Sequence, residues 1–554
     1  MDSETKLPET VDRILVYALR DRLQADTGKP VVLKETHISW ILLSGQLAYK
    51  LKKPVHLPFV DFSTLALRKH FCEEEVRLNR RLAPLQYLGV VPICGTVNAP
   101  RIGGGGEPID YAVCMQRFAP GALLSEKLVA GDLRPEYLDR LANRIAIFHR
   151  QAPVALPVSS TRGIERVVQP VLEVLKQLQA DCDTSSIVAV RAWVDQQVLT
   201  LQEAWLQRRR SGAVRECHGD LHLANTVLIG DEVTAFDCIE FSPDLRWIDV
   251  ISDVAFFTMD LNAHGRSDLA FRFLDAYLQR TGDYAGVQVL RFYEVYRALV
   301  RALVYRVRLK SVGAASPAVD PDYLGCARRL VQTAGGAGRL LITHGLSGSG
   351  KSTLARRLVE TAGAIRLRSD VERKRLFGLD ALQRSAEQSV DIYTREATQR
   401  TFERLRECAR TALQAGYPVI VDSAFLQRAE RRVFQAVAAE LGVPFAILHC
   451  RASEAQLRQR LADRNAGGTD ASEANATVLE YQMATQDPLD GDERAAALEV
   501  FTDEPVDVVA LRARWFSPAE ASWQSQLGTP DARPSDANQR TSSENDDHWR
   551  NKHA

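Results

Sequence analysis

A chain of 554 residues is too long for one ordinary core and predicts two to four domains. Its 70 basic side chains are matched by 70 acidic ones, with 45% apolar and 25% charged residues, which excludes the strongly basic surfaces of nucleic-acid and membrane binders. Nine scattered cysteines without a CxxC pair, a start of Met1-Asp2-Ser3-Glu4-Thr5 and no apolar run of about eighteen residues argue against structural zinc, export and a membrane span, so the expectation is a cytoplasmic chain without nucleic-acid, membrane or evident protein partners.

In chain order, WILLSG and QLAYKLKK predict two strands about a tight turn at Ser44-Gly45. Period-two alternation puts Ala48, Lys50 and Lys52 on one face of the second strand. CEEEVRLNRRL, with Glu74 and Glu75, predicts a helix, and Gly103 to Gly106 predicts a hairpin tip. From Leu138 onward, RLANRIAIFHR, VRAWVDQQVLTLQEAW and YEVYRALVRALVYRVRL carry apolar residues at helical spacing, so strands come first and helices later. Between these helices lies His218-Gly219-Asp220-Leu221-His222-Leu223-Ala224-Asn225, and twelve residues after Asn225 Asp237 ends the apolar VTAFD. A phosphoryl-transfer loop needs a carboxylate near the acceptor hydroxyl, an amide oxygen five residues on for a metal ion, and a second carboxylate on a neighbouring strand. The competing role is a buried polar loop that stabilises a hairpin. Glu240, Asp249 and Asp253, nearby in sequence, are expected as salt-bridge or capping residues.

The HGDLHLAN…FD pattern resembles the aminoglycoside phosphotransferase and choline kinase family over roughly residues 30 to 310. The resemblance implies a protein-kinase-like α+β fold with a small β-rich lobe and a helical large lobe. It also implies Asp220 as catalytic base, Asn225 and Asp237 as magnesium ligands, and Lys50 or Lys52 on the ATP phosphates with Glu74 or Glu75 as partner. Cys238-Ile239 follows Asp237 in place of Phe-Gly, no APE segment follows, and the turn Ser44-Gly45-Gln46 is shorter than GxGxxG. These departures argue against protein substrates and leave a degenerate, kinase-shaped sensor as the alternative.

A boundary is expected near Gly335, within the glycine-rich stretch from Gly313 to Gly338, giving domains at 1–335 and 336–515 and a disordered polar tail at 516–554. In the second domain RLLITH, PVIVDS and FAILHC alternate with helical stretches, the pattern of an α/β parallel sheet. Gly345-Leu346-Ser347-Gly348-Ser349-Gly350-Lys351-Ser352 matches the P-loop pattern GxxxxGK[ST] between a strand and a helix. There glycines let backbone N–H groups curl round phosphate oxygens, the lysine adds charge, and the serine hydroxyl can bind magnesium. Asp422, at the end of VIVD, is the candidate second metal ligand, or else a cap of the next helix. Asp370 is placed to accept a substrate hydroxyl proton, with a helix N-cap as its competing role. Arg460 and Arg464, with Arg458 nearby, share a helix face that either clamps phosphates or meets solvent. This block resembles the P-loop small-molecule kinases, such as gluconate kinase, chloramphenicol phosphotransferase and the zeta-toxin kinases, over about 170 residues. That likeness implies Asp370 as the residue that orients the acceptor, and Arg460 and Arg464 on a lid.

Together these readings predict a bifunctional kinase that uses ATP and Mg2+ at both sites on a small hydroxyl-bearing molecule. The alternative is a P-loop ATPase switch joined to a degenerate kinase-like sensor. A cationic aminoglycoside acceptor is disfavoured by Arg297, Arg301, Arg306 and Arg308 on the helices expected to line its pocket.

Overall fold

The computed structural model describes residues 11–517 except 58–59, 157–158, 182–183, 313–320, 335, 337, 386–390 and 468–469. Gly335 and, beyond Ser517, the tail expected to be disordered lie outside the described residues.

The two strands flanking the Ser44-Gly45 turn are Ser39–Ser44 and Leu47–Lys52, paired antiparallel with Leu42 opposite Tyr49 in a six-stranded sheet. Trp40, Leu42 and Leu51 lie on its apolar face and pack under Leu15, Val16, Leu19 and Leu23 of a helix, Val11–Thr27. That helix precedes the strands and corrects the expected strands-then-helices order: an apolar sheet face needs a cover. The opposite face, with Lys50 and Lys52, looks toward the helix Leu65–Asn79. The Gly103 to Gly106 run is not a hairpin tip. It carries the chain from the edge strand Ala99–Ile102 across to Pro108–Gln116, on the other side of Tyr87–Thr96.

The large lobe is helical, as its spacing predicts, although the run from Val190 to Trp205 breaks at Leu201 into helices Thr184–Thr200 and Gln202–Arg210. A hairpin of Thr226–Ile229 and Glu232–Ala235 interrupts the helices and carries the HGDLHLAN motif at its base. The C-terminal sheet is wholly parallel, in the order Ile365–Arg368, Pro418–Asp422, Arg339–His344, Phe445–Arg451 and Ala497–Phe501. The P-loop joins the central strand Arg339–His344 to the helix Lys351–Ala362.

The N-terminal and C-terminal domains share a core. One apolar cluster runs from Leu274, Leu278 and Tyr284 of the first half into Ile365, Leu367, Leu405, Tyr417 and Val419 of the second, and the chain to Trp515 is one compact unit. Its hub is the helix Ser267–Thr281, called here the bridging helix, which packs on the P-loop helix and on the edge strand Ile365–Arg368. Polar contacts follow the same seam. Arg272 pairs with Glu360 at 2.9 Å, Arg404 donates to the Gly282 carbonyl at 3.0 Å, and the Tyr284 hydroxyl donates to the Arg366 carbonyl at 3.2 Å. Among the described residues no helix is long and apolar enough to cross a membrane.

Candidate active sites

In the first half the hairpin register explains how the motif is assembled. Thr226 pairs with Ala235, and the Phe236 N–H donates to the Asn225 carbonyl at 3.0 Å, so Asn225 and Asp237 flank one end of the ladder. The Asn225 amide nitrogen donates to Asp220 Oδ2 at 2.9 Å and to the Asp220 carbonyl at 3.0 Å, so the amide oxygen is the end not turned to Asp220. Asp237 has a left-handed backbone, φ 65°, uncommon for a residue with a side chain and of the kind that functional loops hold in place. Burial works against the Asp220 charge, but His222 and Arg301 prevail and keep its carboxyl well below the usual range. Asp220 is therefore ionised at neutral pH and accepts hydrogen bonds only.

Of the alternatives left open by sequence, the structure joins Glu75, not Glu74, to the lysines. Glu75 Oε1 accepts from Lys50 at 2.9 Å and Oε2 from Lys52 at 2.8 Å, whereas Glu74 faces Arg77 and Arg246. Lys50 also meets Asp237 Oδ1 at 2.5 Å, while Lys52 is fully buried and paired to Glu240. Burial opposes both ammonium charges, yet Asp237 and Glu75 around Lys50, and Glu240 and Glu75 around Lys52, raise both above the ordinary lysine value. Asp249 and Asp253 have supporting contacts: Asp249 caps the helix Val250–Ala263 and pairs with Arg208, and Asp253 holds the His218-Gly219 backbone.

In the second half the glycines fit a phosphate cradle. Gly345, Gly348 and Gly350 all have positive φ, and a Cβ on Gly345 would collide with the Cys450 carbonyl. Lys351 Nζ donates to the Leu346 carbonyl at 2.8 Å, across the mouth of the loop, and burial lowers its pKa. The Ser352 hydroxyl donates to Asp422 Oδ1 at 3.0 Å; Asp422 is 4% exposed, and its Oδ2 has no hydrogen-bond partner. Asp370 lies in the first turn of the helix Ser369–Leu376, whose N-cap is Arg368, so capping is not its task. Lys351, Ser352, Asp370, Asp422, Arg460 and Arg464 all line one cleft of about 670 Å³. Arg460 is tied to the Gly348 carbonyl at 3.3 Å and to Thr502 Oγ1 at 2.9 Å, and Arg464 to the Ala474 carbonyl at 2.7 Å.

Three arginines in or beside this cleft escape a reading by motif. Arg366 and Arg368, on one face of their strand, both stand 3.6 Å from Asp422 Oδ2. Arg373 is 7% exposed, lines the cleft, and donates to the Ile392 carbonyl and Thr398 Oγ1, both at 3.0 Å. Its Nε has no partner, its guanidinium lies 5.3 Å from the Tyr393 ring centroid, and among the described residues no carboxylate pairs with it. The one signal in the sequence is its position three residues after Asp370, which puts both on one side of a helix.

Fold and site together define a chain of two kinase-type domains. The model of the Phosphotransferase enzyme family matches residues 62–293, and that of the AAA domain matches residues 340–489. Uncharacterized proteins of Mycobacterium tuberculosis H37Rv and Mycobacterium bovis are each 30% identical over 510 residues, covering 90% of this chain and 97% of theirs, and the chain belongs to their family. Among solved structures, a choline/ethanolamine kinase family protein from Mesorhizobium loti is 10% identical, over 57% of this chain and 92% of its own, with a TM-score of 0.35. A gluconokinase from Sinorhizobium meliloti is 18% identical, over 34% of this chain and 99% of its own, with a TM-score of 0.25.

Proposed function

We propose that the protein is a cytoplasmic, ATP-dependent kinase of small hydroxyl-bearing molecules, with one site in each domain and the domain boundary near residue 335. The observation that carries this reading is the single cleft shared by Lys351, the Ser352–Asp422 pair, Asp370 and Arg373. The residues suit magnesium and nucleotide: a cradle that a Cβ would fill, and a buried carboxylate oxygen that accepts no hydrogen bond, beside the serine hydroxyl. Backbone N–H groups of Gly348 to Ser352 and the Lys351 ammonium bind the phosphates, with Arg460 and Arg464 near them. Ser352 Oγ and Asp422 hold magnesium, which when bound neutralises phosphate charge. Asp370 orients the acceptor hydroxyl and takes its proton as the acceptor oxygen bonds to the γ-phosphorus. The bond from that phosphorus to the bridging oxygen of ADP breaks, and ADP leaves. Arg373, a buried cation with which no carboxylate among the described residues forms an ion pair, favours an acceptor that carries a carboxylate or phosphate. In the N-terminal site Asp220 orients the acceptor, Asn225 and Asp237 hold magnesium, and Lys50 binds ATP phosphates, with Lys52 securing their common partner Glu75.

The test is ADP formation with magnesium and ATP across polyols, sugar acids, sugar phosphates, nucleosides and aminoglycosides, for wild type, Asp220→Ala, Lys351→Ala and Arg373→Gln. An acceptor-dependent rate lost in Lys351→Ala, with KM for the acceptor raised in Arg373→Gln, is expected at the P-loop site. Slow hydrolysis indifferent to every acceptor and abolished by Lys351→Ala alone overturns the kinase reading in favour of an ATPase switch.

A further inference from the structure

Two arginines crowd the carboxylate proposed to hold magnesium, and each has a second carboxylate of its own. Arg368 is shared with Asp470, both of whose oxygens lie 3.2 Å from Nη2. Arg366, 5% exposed, is shared with Asp275: Nη2 donates to Asp275 Oδ2 at 2.7 Å and Nε to Oδ1 at 3.3 Å. The remaining edge of the Arg366 guanidinium faces the metal-holding pair, with Nη1 3.1 Å from the Ser352 carbonyl and 3.6 Å from Asp422 Oδ2. Asp275 is not part of the P-loop domain. It belongs to the bridging helix of the other domain and is 7% exposed.

This arrangement settles an electrostatic difficulty. A divalent cation beside Ser352 and Asp422 would meet the guanidiniums of Arg366 and Arg368 at short range in a buried setting, where like charges repel strongly. A carboxylate on the far side of each arginine offsets that repulsion. Left alone, Arg366 would instead draw Asp422 into a full ion pair and away from the Ser352 hydroxyl. Asp275 is held for the task on its own side too, since Gln279, one turn along the bridging helix, donates to its Oδ2 at 2.7 Å.

We propose that Asp275, supplied by the N-terminal domain, is a positioning residue of the P-loop site, which neutralises Arg366 so that Asp422 stays available to a divalent cation. The inference rests on the reading above that Ser352 and Asp422 hold magnesium. Asp275 touches no substrate and acts through Arg366 alone. The P-loop site is therefore complete only when the two domains are docked.

The experiment measures Mn2+ binding to the full chain with ADP bound, by electron paramagnetic resonance, alongside ADP affinity in EDTA and the urea unfolding midpoint. Every chain compared, the reference included, carries Asn225→Ala and Asp237→Ala so that only the P-loop site takes the metal. Asp275→Asn is expected to weaken Mn2+ roughly tenfold while metal-free ADP affinity stays put. Removing the uncompensated cation in Asp275→Asn/Arg366→Gln restores wild-type Mn2+ affinity, a rescue that a merely structural role would not produce. Arg272→Gln, which breaks the Glu360 contact at the same seam away from Asp422, leaves Mn2+ binding unchanged. Wild-type Mn2+ affinity in Asp275→Asn, or an equal loss in Arg272→Gln, overturns the proposal. Should Asp275→Asn not fold, the charge-neutral double variant decides alone: a tenfold loss there overturns it, and wild-type affinity supports it. Asp422→Asn separates the two claims. If that substitution leaves Mn2+ binding intact, the magnesium assignment fails; if it abolishes binding while Asp275→Asn does not weaken it, only the role of Asp275 fails.

Discussion

Replacing Asp253 with alanine should both destabilise the N-terminal domain and misplace its HGDLHLAN loop. This carboxylate is fully buried, and it accepts the His218 N–H at 2.7 Å, the Gly219 N–H at 2.8 Å and His149 Nε2 at 3.2 Å. Each backbone bond to a charged acceptor contributes about 1.5–3 kcal/mol, and the alanine leaves these two buried backbone donors unmet, so a loss of about 3–6 kcal/mol is expected. That is a large share of the roughly 5–15 kcal/mol that holds a typical domain together. The loop has little room to find other partners: Gly219 sits at φ +87°, with the Leu245 carbonyl 2.8 Å from where a Cβ would be. Urea unfolding followed by tryptophan fluorescence reads the stability, and acceptor phosphorylation at the N-terminal site reads the loop, with kcat falling more than KM rises. The pH dependence has a definite sign. Burial opposes the Asp253 charge, but His149, His218 and the backbone donors prevail and depress its folded pKa. Its contribution is thus present above the unfolded carboxylate value of about 3.9 and disappears as pH falls through the folded value, so wild-type and Asp253→Ala curves converge in acid. A loss below about 1 kcal/mol with kcat intact would refute the view that this carboxylate sets the loop.

Glu294 works in the opposite direction: burial pushes its carboxyl up to about 7, although Thr258 donates to it at 2.7 Å. The folded state prefers the protonated form, so stability declines as pH rises from about 4.5 to about 7. Glu294→Gln should accordingly raise the unfolding free energy at pH 8 by on the order of 3 kcal/mol and flatten the profile; an unchanged midpoint at pH 8 contradicts this. Gly348→Ala combines φ +85° with a Cβ 2.9 Å from the Leu457 carbonyl, so it should cut nucleotide affinity at the P-loop more than tenfold by calorimetry, and near-wild-type affinity would show that the cradle tolerates a methyl group.

The parts legible in the sequence were those in which local pattern and chemistry coincide. GLSGSGKS between a strand and a helix admits one backbone shape, and the 2.0-residue period of QLAYKLKK put Lys50 and Lys52 on one face. The choice of Glu75 over Glu74 was not legible, because adjacent helix positions both carry the right chemistry and only the tilt of Leu65–Asn79 over the sheet selects one. The helix Val11–Thr27 went unread because its role depends on a sheet face formed later in the chain. Arg366 gave no motif signal either. In IRLR it reads as an ordinary charged residue on an edge strand, and its meaning comes from Asp275, ninety-one residues earlier on another domain.

The apolar seam of the bridging helix also sets an order of events during synthesis. Phe271, Leu274 and Tyr284 leave the ribosome well before Ile365, Tyr417 and Val419, the residues they finally pack against. At ordinary elongation rates the gap from Tyr284 to Tyr417 lasts on the order of 10 s. For that interval the nascent N-terminal domain presents an uncovered apolar face, the kind of surface that recruits chaperones or neighbouring chains. The N-terminal domain expressed alone would keep that face exposed permanently.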